Sequence, residues 1–302
     1  MRQRNRALHI KLLLGLGVLL AALSGCGSRA AVTATGAEET ASPANAAAGS
    51  VNILLRGGDS AKIEGRGAEV EKGVLVIHEG GTYRLTGESR LPIEVRAANV
   101  SVTLIFAGEE TNSIETDGRE KKDGSAADPE GVDAAIFAKG NLTLRGSGSA
   151  NIKAANRGIV AKGELIVADG IFDLRTEDDI FCGKESVTLQ GGTSYINGSD
   201  TGKDAALDWN GSCRVDGGVL IASGMKARAE KISPDSAQRF FEWELKSEHP
   251  AREQISVQRG DGSMLYWELP RSTYDYVQIS CPELAEENTL HAVAGNESIA
   301  LR

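Results

Sequence analysis

From Ile136 onward the chain repeats itself every twenty-odd residues, and that spacing restricts it to very few folds. Ile136, Ile159, Ile180 and Leu207 open successive units at spacings of 23, 21 and 27 residues. A second short apolar run follows each of them, at residues 142–144, 165–167, 187–189 and 213–215. Next comes a glycine turn (Gly146 and Gly148, Gly170, Gly191 and Gly192, Gly217 and Gly218), then a third run at 151–152, 171–174, 194–196 and 219–221. Three short strands with turns between them make up one coil of a β-solenoid. Leucine-rich repeats have a similar length, but their Leu and Asn consensus is missing here. Consecutive hairpins would leave the three-strand unit unexplained. Ile93 fits as an earlier coil, 43 residues before Ile136, which implies a long excursion over about 113–133. No long helical period occurs before residue 229, so the expected fold class is all-β.

In such a stack, equivalent residues of adjacent coils lie about 4.8 Å apart and side chains alternate between the two faces. With Ile136, Ile159, Ile180 and Leu207 inward, the next inward layer is Ala138, Ala161, Cys182 and Trp209. Phe137, Val160, Phe181 and Asp208 then face outward. Lys139 and Lys162 come next on that face, with Lys184 nearby and Arg96 one coil earlier. An apolar strip on an outer face calls for a cover or a ligand. In one reading it is a sugar platform, with Phe137 and Phe181 against apolar sugar faces and Lys139 and Lys162 pairing with uronate carboxylates. In the other, the 113–133 excursion or the C-terminal segment covers the strip and the lysines are simply solvated.

The order of pieces resembles the carbohydrate-binding, calcium-binding right-handed parallel β-helix proteins of bacterial surfaces. The matching pieces are an entry segment at 80–87 followed by Ile93, Glu94 and Val95; Gly158-Ile159 and Asp179-Ile180; Gly191-Gly192-Thr193; and an exit at Ser223-Gly224-Met225. The likeness spans roughly residues 51–240. It implies a right-handed parallel β-helix of pectate-lyase-like architecture, an extracellular polysaccharide as partner (cellulose or an acidic, pectin-like glycan) and calcium as cofactor. Calcium takes roughly six to eight oxygen ligands, including turn carbonyls. The carboxylates around the coil starts are the candidate ligands: Glu130, Asp133, Asp178, Asp179, Asp204 and Asp208. Their bland alternative is a set of solvated acidic turns. The chain departs from the pattern where Arg157 precedes Gly158, where no glycine precedes Ile180 and where Ala206 precedes Leu207. The acidic ladder is degraded at those coils.

The N-terminus reads as an address. Arg2, Arg4 and Arg6 precede an apolar run over 12–23, too short to make a good spanning helix. The run stops at Leu23-Ser24-Gly25-Cys26, which resembles the lipobox of bacterial lipoproteins. The resemblance implies cleavage before Cys26 and acylation of its thiol, and more than one acyl chain is enough for stable anchoring. Residues 26–50, rich in Ala, Thr, Ser and Gly, read as a flexible tether. The 33 basic and 42 acidic residues become 29 and 42 once Arg2, Arg4, Arg6 and Lys11 leave with the signal, a net charge of −13. Such a chain is a poor partner for nucleic acid. Cys182, Cys213 and Cys281 remain, an odd number without metal-like spacing, and read as buried free thiols.

Residues 229–302 differ in character, holding seven of the 14 aromatics. Gly260-Asp261-Gly262 reads as a hairpin turn between residues 255–257 and 264–268, and a strand is expected over 276–279. A small β-rich module or cap fits, because an open solenoid end exposes strand edges. The expected organisation is signal 1–25, tether 26–50, β-helix 51–228 and C-terminal module 229–302. The repeats carry no recognisable catalytic set: Arg157, Lys139 and Lys162 form no lyase motif, and the adjacent Asp178 and Asp179 are a poor hydrolase pair. The sequence thus points to a lipid-anchored, extracytoplasmic, non-catalytic polysaccharide-binding protein. A polysaccharide lyase or hydrolase on the same fold is the first alternative, and a surface scaffold or adhesin binding a protein partner the second.

Overall fold

The computed structural model describes residues 50–108, 111–116, 134–155, 157–176, 181–198 and 212–302. Cys26 and all six calcium-ligand candidates (Glu130, Asp133, Asp178, Asp179, Asp204 and Asp208) lie outside the described residues. The chain is all-β, built on a large, mostly parallel sheet.

Each repeat lays its strands parallel to those of the next. The strand Asn141–Arg145 pairs with Glu164–Val167, which pairs with Ser186–Leu189, which pairs with Ser212–Val215. The third strands do the same, from Asn112–Thr116 through Ser149–Ala154, Ile171–Thr176 and Thr193–Asn197 to Val219–Gly224. Both rows meet at the long strand Gly81–Ser89 and so belong to one sheet. The first strands form a separate six-stranded sheet containing Ile93–Val95, Ala134–Ala138, Arg157–Ala161 and Phe181–Gly183. One hydrophobic core is enclosed between the two sheets: Leu142, Leu165 and Val187 from one row, Ile152, Leu174 and Ile196 from the other, and Ile93, Ile136 and Ile159 from the six-stranded sheet. The period-two alternation of each strand is what delivers these side chains to one face.

The turn glycines are required by close approach. Gly192 has φ +73°, and a Cβ on it would collide with the carbonyl oxygen of Gly170 in the neighbouring repeat. The 113–133 excursion starts later than expected, because Ile114 is still in register with Ile152. Buried Asn112 fixes that strand: its Nδ2 donates to the carbonyls of Ala107 (3.0 Å) and Ser149 (3.1 Å), and its Oδ1 accepts from the Gly87 amide (2.9 Å).

One expected alignment is off by a residue. Ile159 pairs with Phe181, not with Ile180, so Phe181 joins Ile136 and Ile159 in the main core. Cys182 takes the opposite face, in a small buried cluster with Ala134, Phe137 and Val160. A shift of one residue exchanges the two faces of a strand. Cys182, Cys213 and Cys281 are all buried and form no disulfide. Burial also pushes the Cys281 thiol up to about 12.

The C-terminal segment continues the large sheet with reversed polarity. Tyr274–Ser280 pairs antiparallel with Val219–Gly224, and Phe240–His249 pairs antiparallel with Tyr274–Ser280. The edge of the parallel stack at Val219–Gly224 is thereby covered. A second, four-stranded antiparallel sheet runs in the order Met264–Glu268, Ile255–Gln258, Leu290–Ala294, Glu297–Leu301, its first two strands joined through the 260–262 turn. Its core takes in Ile221 from the outer face of the parallel sheet, packed with Trp243, Ile255, Val277 and Leu290.

Candidate functional site

The sugar platform expected on Phe137 and Phe181 does not exist as a surface. Phe137 is 1% and Phe181 0% exposed. The register shift turned Phe181 inward, and Phe137 is packed on Ala134, Val160 and Cys182. The expected row of cations beside it is present. The backbone amides of Arg96, Lys139, Lys162 and Lys184 donate to the carbonyls of Ile77, Val95, Ala138 and Ala161 at 2.8–2.9 Å, one strand apart. Arg96 is committed to Glu71 (2.7 Å) and Glu94 (2.9 Å). Lys162 is exposed, with its Nζ 5.8 Å from the centroid of the Phe137 ring beneath it. Lys139, Lys162, Asn99, Asn141 and Glu185 line an open depression of about 440 Å³.

A second depression, of about 420 Å³, opens where the parallel sheet meets the C-terminal hairpin. Its floor is the outer face of two adjacent strands, where Asp173 and Tyr195 stand side by side in register. Its wall is the run Trp267, Glu268, Leu269 and Arg271. Trp267 is 53% and Leu269 39% exposed, whereas Glu268 between them is buried. Buried Asn197 clamps the wall to the sheet: its Oδ1 accepts from the Arg271 amide (2.6 Å) and its Nδ2 donates to Glu268 Oε1. Glu268 Oε2 is buried and has no hydrogen-bond partner among the described residues. Arg271 reaches Asp173 at 3.6 Å.

Burial raises the Glu268 carboxyl to about 8, with the charge of Asp173 adding to the shift and Asn197 and Arg271 opposing it. Burial also raises Asp173, against the pull of Arg271 and Arg175. Tyr195 is raised by burial and by the two carboxylates. An open cleft with an exposed indole, a tyrosine and a few convergent polar groups is the candidate small-molecule site of this chain. The indole face suits the apolar face of a sugar ring, and the polar fringe suits its hydroxyls.

Residues 68–231 match the sequence model of a family described as "Carbohydrate-binding domain-containing protein". That is more than half of the chain. The chain belongs to this carbohydrate-binding family. A carbohydrate is therefore the ligand class, and the match includes Asp173 and Tyr195 but ends before Trp267, Glu268 and Arg271. No curated protein matches the chain. One similar solved structure is the polysaccharide lyase-like protein from C. thermocellum, a gadolinium derivative. It is 18% identical over 56% of this chain and 80% of its own, with a TM-score of 0.38, a likeness too slight to carry any argument.

Sequence reasoning missed the cleft, although one signal was there. In a strand, Trp267 and Leu269 share one face and Glu268 takes the other, so the usual pattern is inverted, with apolar residues outside and an acid inside. Among the described residues, Glu69, Glu71 and His78 also bring ligand atoms within 4.8 Å of one another. Arg96 already occupies Glu71 and holds its carboxyl below the usual carboxylate range, so a second cation there would compete with a fixed one.

Proposed function

We propose that this carbohydrate-binding chain is a lipid-anchored, extracytoplasmic polysaccharide-binding protein that holds a glycan against the cell surface without cleaving it. The observation that carries the reading is the cleft, with half-exposed Trp267 beside Tyr195 and a polar fringe of Asp173, Glu268 and Arg271. The two rows of parallel strands and the six-stranded sheet, stacked repeat by repeat, support a right-handed parallel β-helix as the body. The lipobox-like Leu23-Ser24-Gly25-Cys26 supports acylation of Cys26. Calcium belongs to the proposal with Glu130, Asp133, Asp178, Asp179, Asp204 and Asp208 as its candidate ligands.

The lysine row favours a second contact. Lys162 and Lys184 are exposed and stand one strand apart, where like charges repel, and an acidic glycan laid across them relieves that repulsion.

The test is retention of the full-length chain, in a sugar-free detergent, on cellulose and on polygalacturonate, with calcium and with chelator. Retention without release of sugars is expected, and its loss in chelator would assign the calcium a structural part. Release of sugars would make the protein an enzyme. Absence of retention on every glycan would leave a scaffold for a protein partner.

A further inference from the structure

A carboxyl group normally lines a sugar site as an ion that accepts hydrogen bonds. Glu268 is placed differently. Its Oε1 accepts from Asn197 Nδ2, and the orientation of that amide is set from its other end, because Asn197 Oδ1 accepts from the Arg271 amide. Oε2 is left buried and unpartnered in a residue that lines the cleft. A buried polar atom without a partner costs roughly 1–3 kcal/mol, so its retention calls for a ligand or another explanation. The nearby cation does not supply one, since Arg271 is directed at Asp173.

We propose that the Trp267 cleft is a site for uncharged sugar rings, in which Glu268 acts as a carboxylic acid and donates from Oε2 to a sugar oxygen. This rests on the reading of the cleft as the glycan site and goes further, to the class of sugar and the residue that selects it. With Oε1 accepting, the single proton of the neutral acid belongs on Oε2, the atom that lacks a partner. Hydroxyl and ring oxygens of a sugar are acceptors, and the indole of Trp267 covers the ring face. The same arrangement disfavours a uronate. Its carboxylate would enter beside Asp173, which lies 3.6 Å from Arg271, and the two like charges would repel. Burial stabilises the acid form, and the raised Glu268 carboxyl places the loss of its proton near pH 8. Affinity for an uncharged sugar therefore holds below that pH and falls as pH rises through it. Acidic glycans are left to the lysine row, which is a separate surface.

The experiment is calorimetric titration of the full-length chain, in sugar-free detergent, with a cello-oligosaccharide and with a galacturonate oligosaccharide. The cello-oligosaccharide should bind at about pH 6 and weaken about tenfold or more by about pH 9.5, the loss of one charge-sensitive hydrogen bond. Glu268→Gln keeps a neutral donor and should bind alike at both pH values. Trp267→Ala should lose binding at both. A flat wild-type profile, an alkaline loss that persists in Glu268→Gln, or galacturonate binding that depends on Trp267 would each overturn the proposal while leaving glycan binding intact. Failure of both sugars at every pH overturns the binding reading as well. Should Glu268→Gln not fold, a ¹³C titration of the Glu268 carboxyl in the wild type decides. Its midpoint should rise when the cello-oligosaccharide saturates the site, and an unmoved midpoint would refute the proposal.

Discussion

Glu268 carries an acid to the inner side of a strand whose flanking residues, Trp267 and Leu269, turn apolar side chains out to solvent. Its carboxyl is raised from an ordinary 4.5 to about 8 in the folded protein. Between those values the folded chain holds a proton that the unfolded chain has released. Stability from this group is therefore complete below about pH 4.5 and is lost as pH rises through 8. Replacing Glu268 by Gln removes that loss. The variant should be more stable than wild type at pH 9, by an amount on the order of a few kcal/mol, and nearly equal to it at pH 4, as read by thermal unfolding at the two pH values. Trp267 behaves oppositely. It is half exposed, so Trp267→Ala should change stability by no more than about 0.5 kcal/mol while removing retention on cellulose. Melting and pull-down on the same preparation separate those two effects.

Strands of this protein are three to six residues long in the repeats from Ala134 onward, so register depends on neighbours more than on any strand's own pattern. Phe181–Gly183 shows it. In sequence, Ile180 and Phe181 are both acceptable inward residues, and only hydrogen bonding to Arg157–Ala161 selects Phe181. The turns tighten the same register. Gly192, at φ +73° and against the Gly170 carbonyl, has no room for a side chain. Gly262, at φ +83°, has open space around it. Both should lose stability on substitution by Ala through backbone strain, about 1–3 kcal/mol. Gly192→Ala should lose more, because a repeat must also move. Chemical denaturation of both variants ranks them, and an equal loss would show that stacking of the repeats does not depend on that close approach.

At the scale of the whole molecule, the proposed function joins the lipobox-like anchor and the cleft in one purpose, holding a glycan near a membrane. Cys26→Ala should move the protein from the membrane fraction to the soluble one, which fractionation and palmitate labelling of expressing cells would measure. Among the described residues no helix is long and apolar enough to cross a membrane. The all-β class, the repeat and the row of Lys139, Lys162 and Lys184 were legible in the sequence, because period-two alternation and turn glycines are local signals. The outward aromatic platform was misread, because facing depends on pairing partners a repeat away. The cleft was invisible for a stronger reason. Asp173 and Tyr195 stand on the parallel sheet, while Trp267, Glu268 and Arg271 lie more than seventy residues later on a hairpin strand and its tail. Local pattern therefore determined what kind of strands this chain makes, and tertiary packing alone decided which distant side chains meet, since only the folded chain removes Glu268 from water and sets Asn197 between it and Arg271.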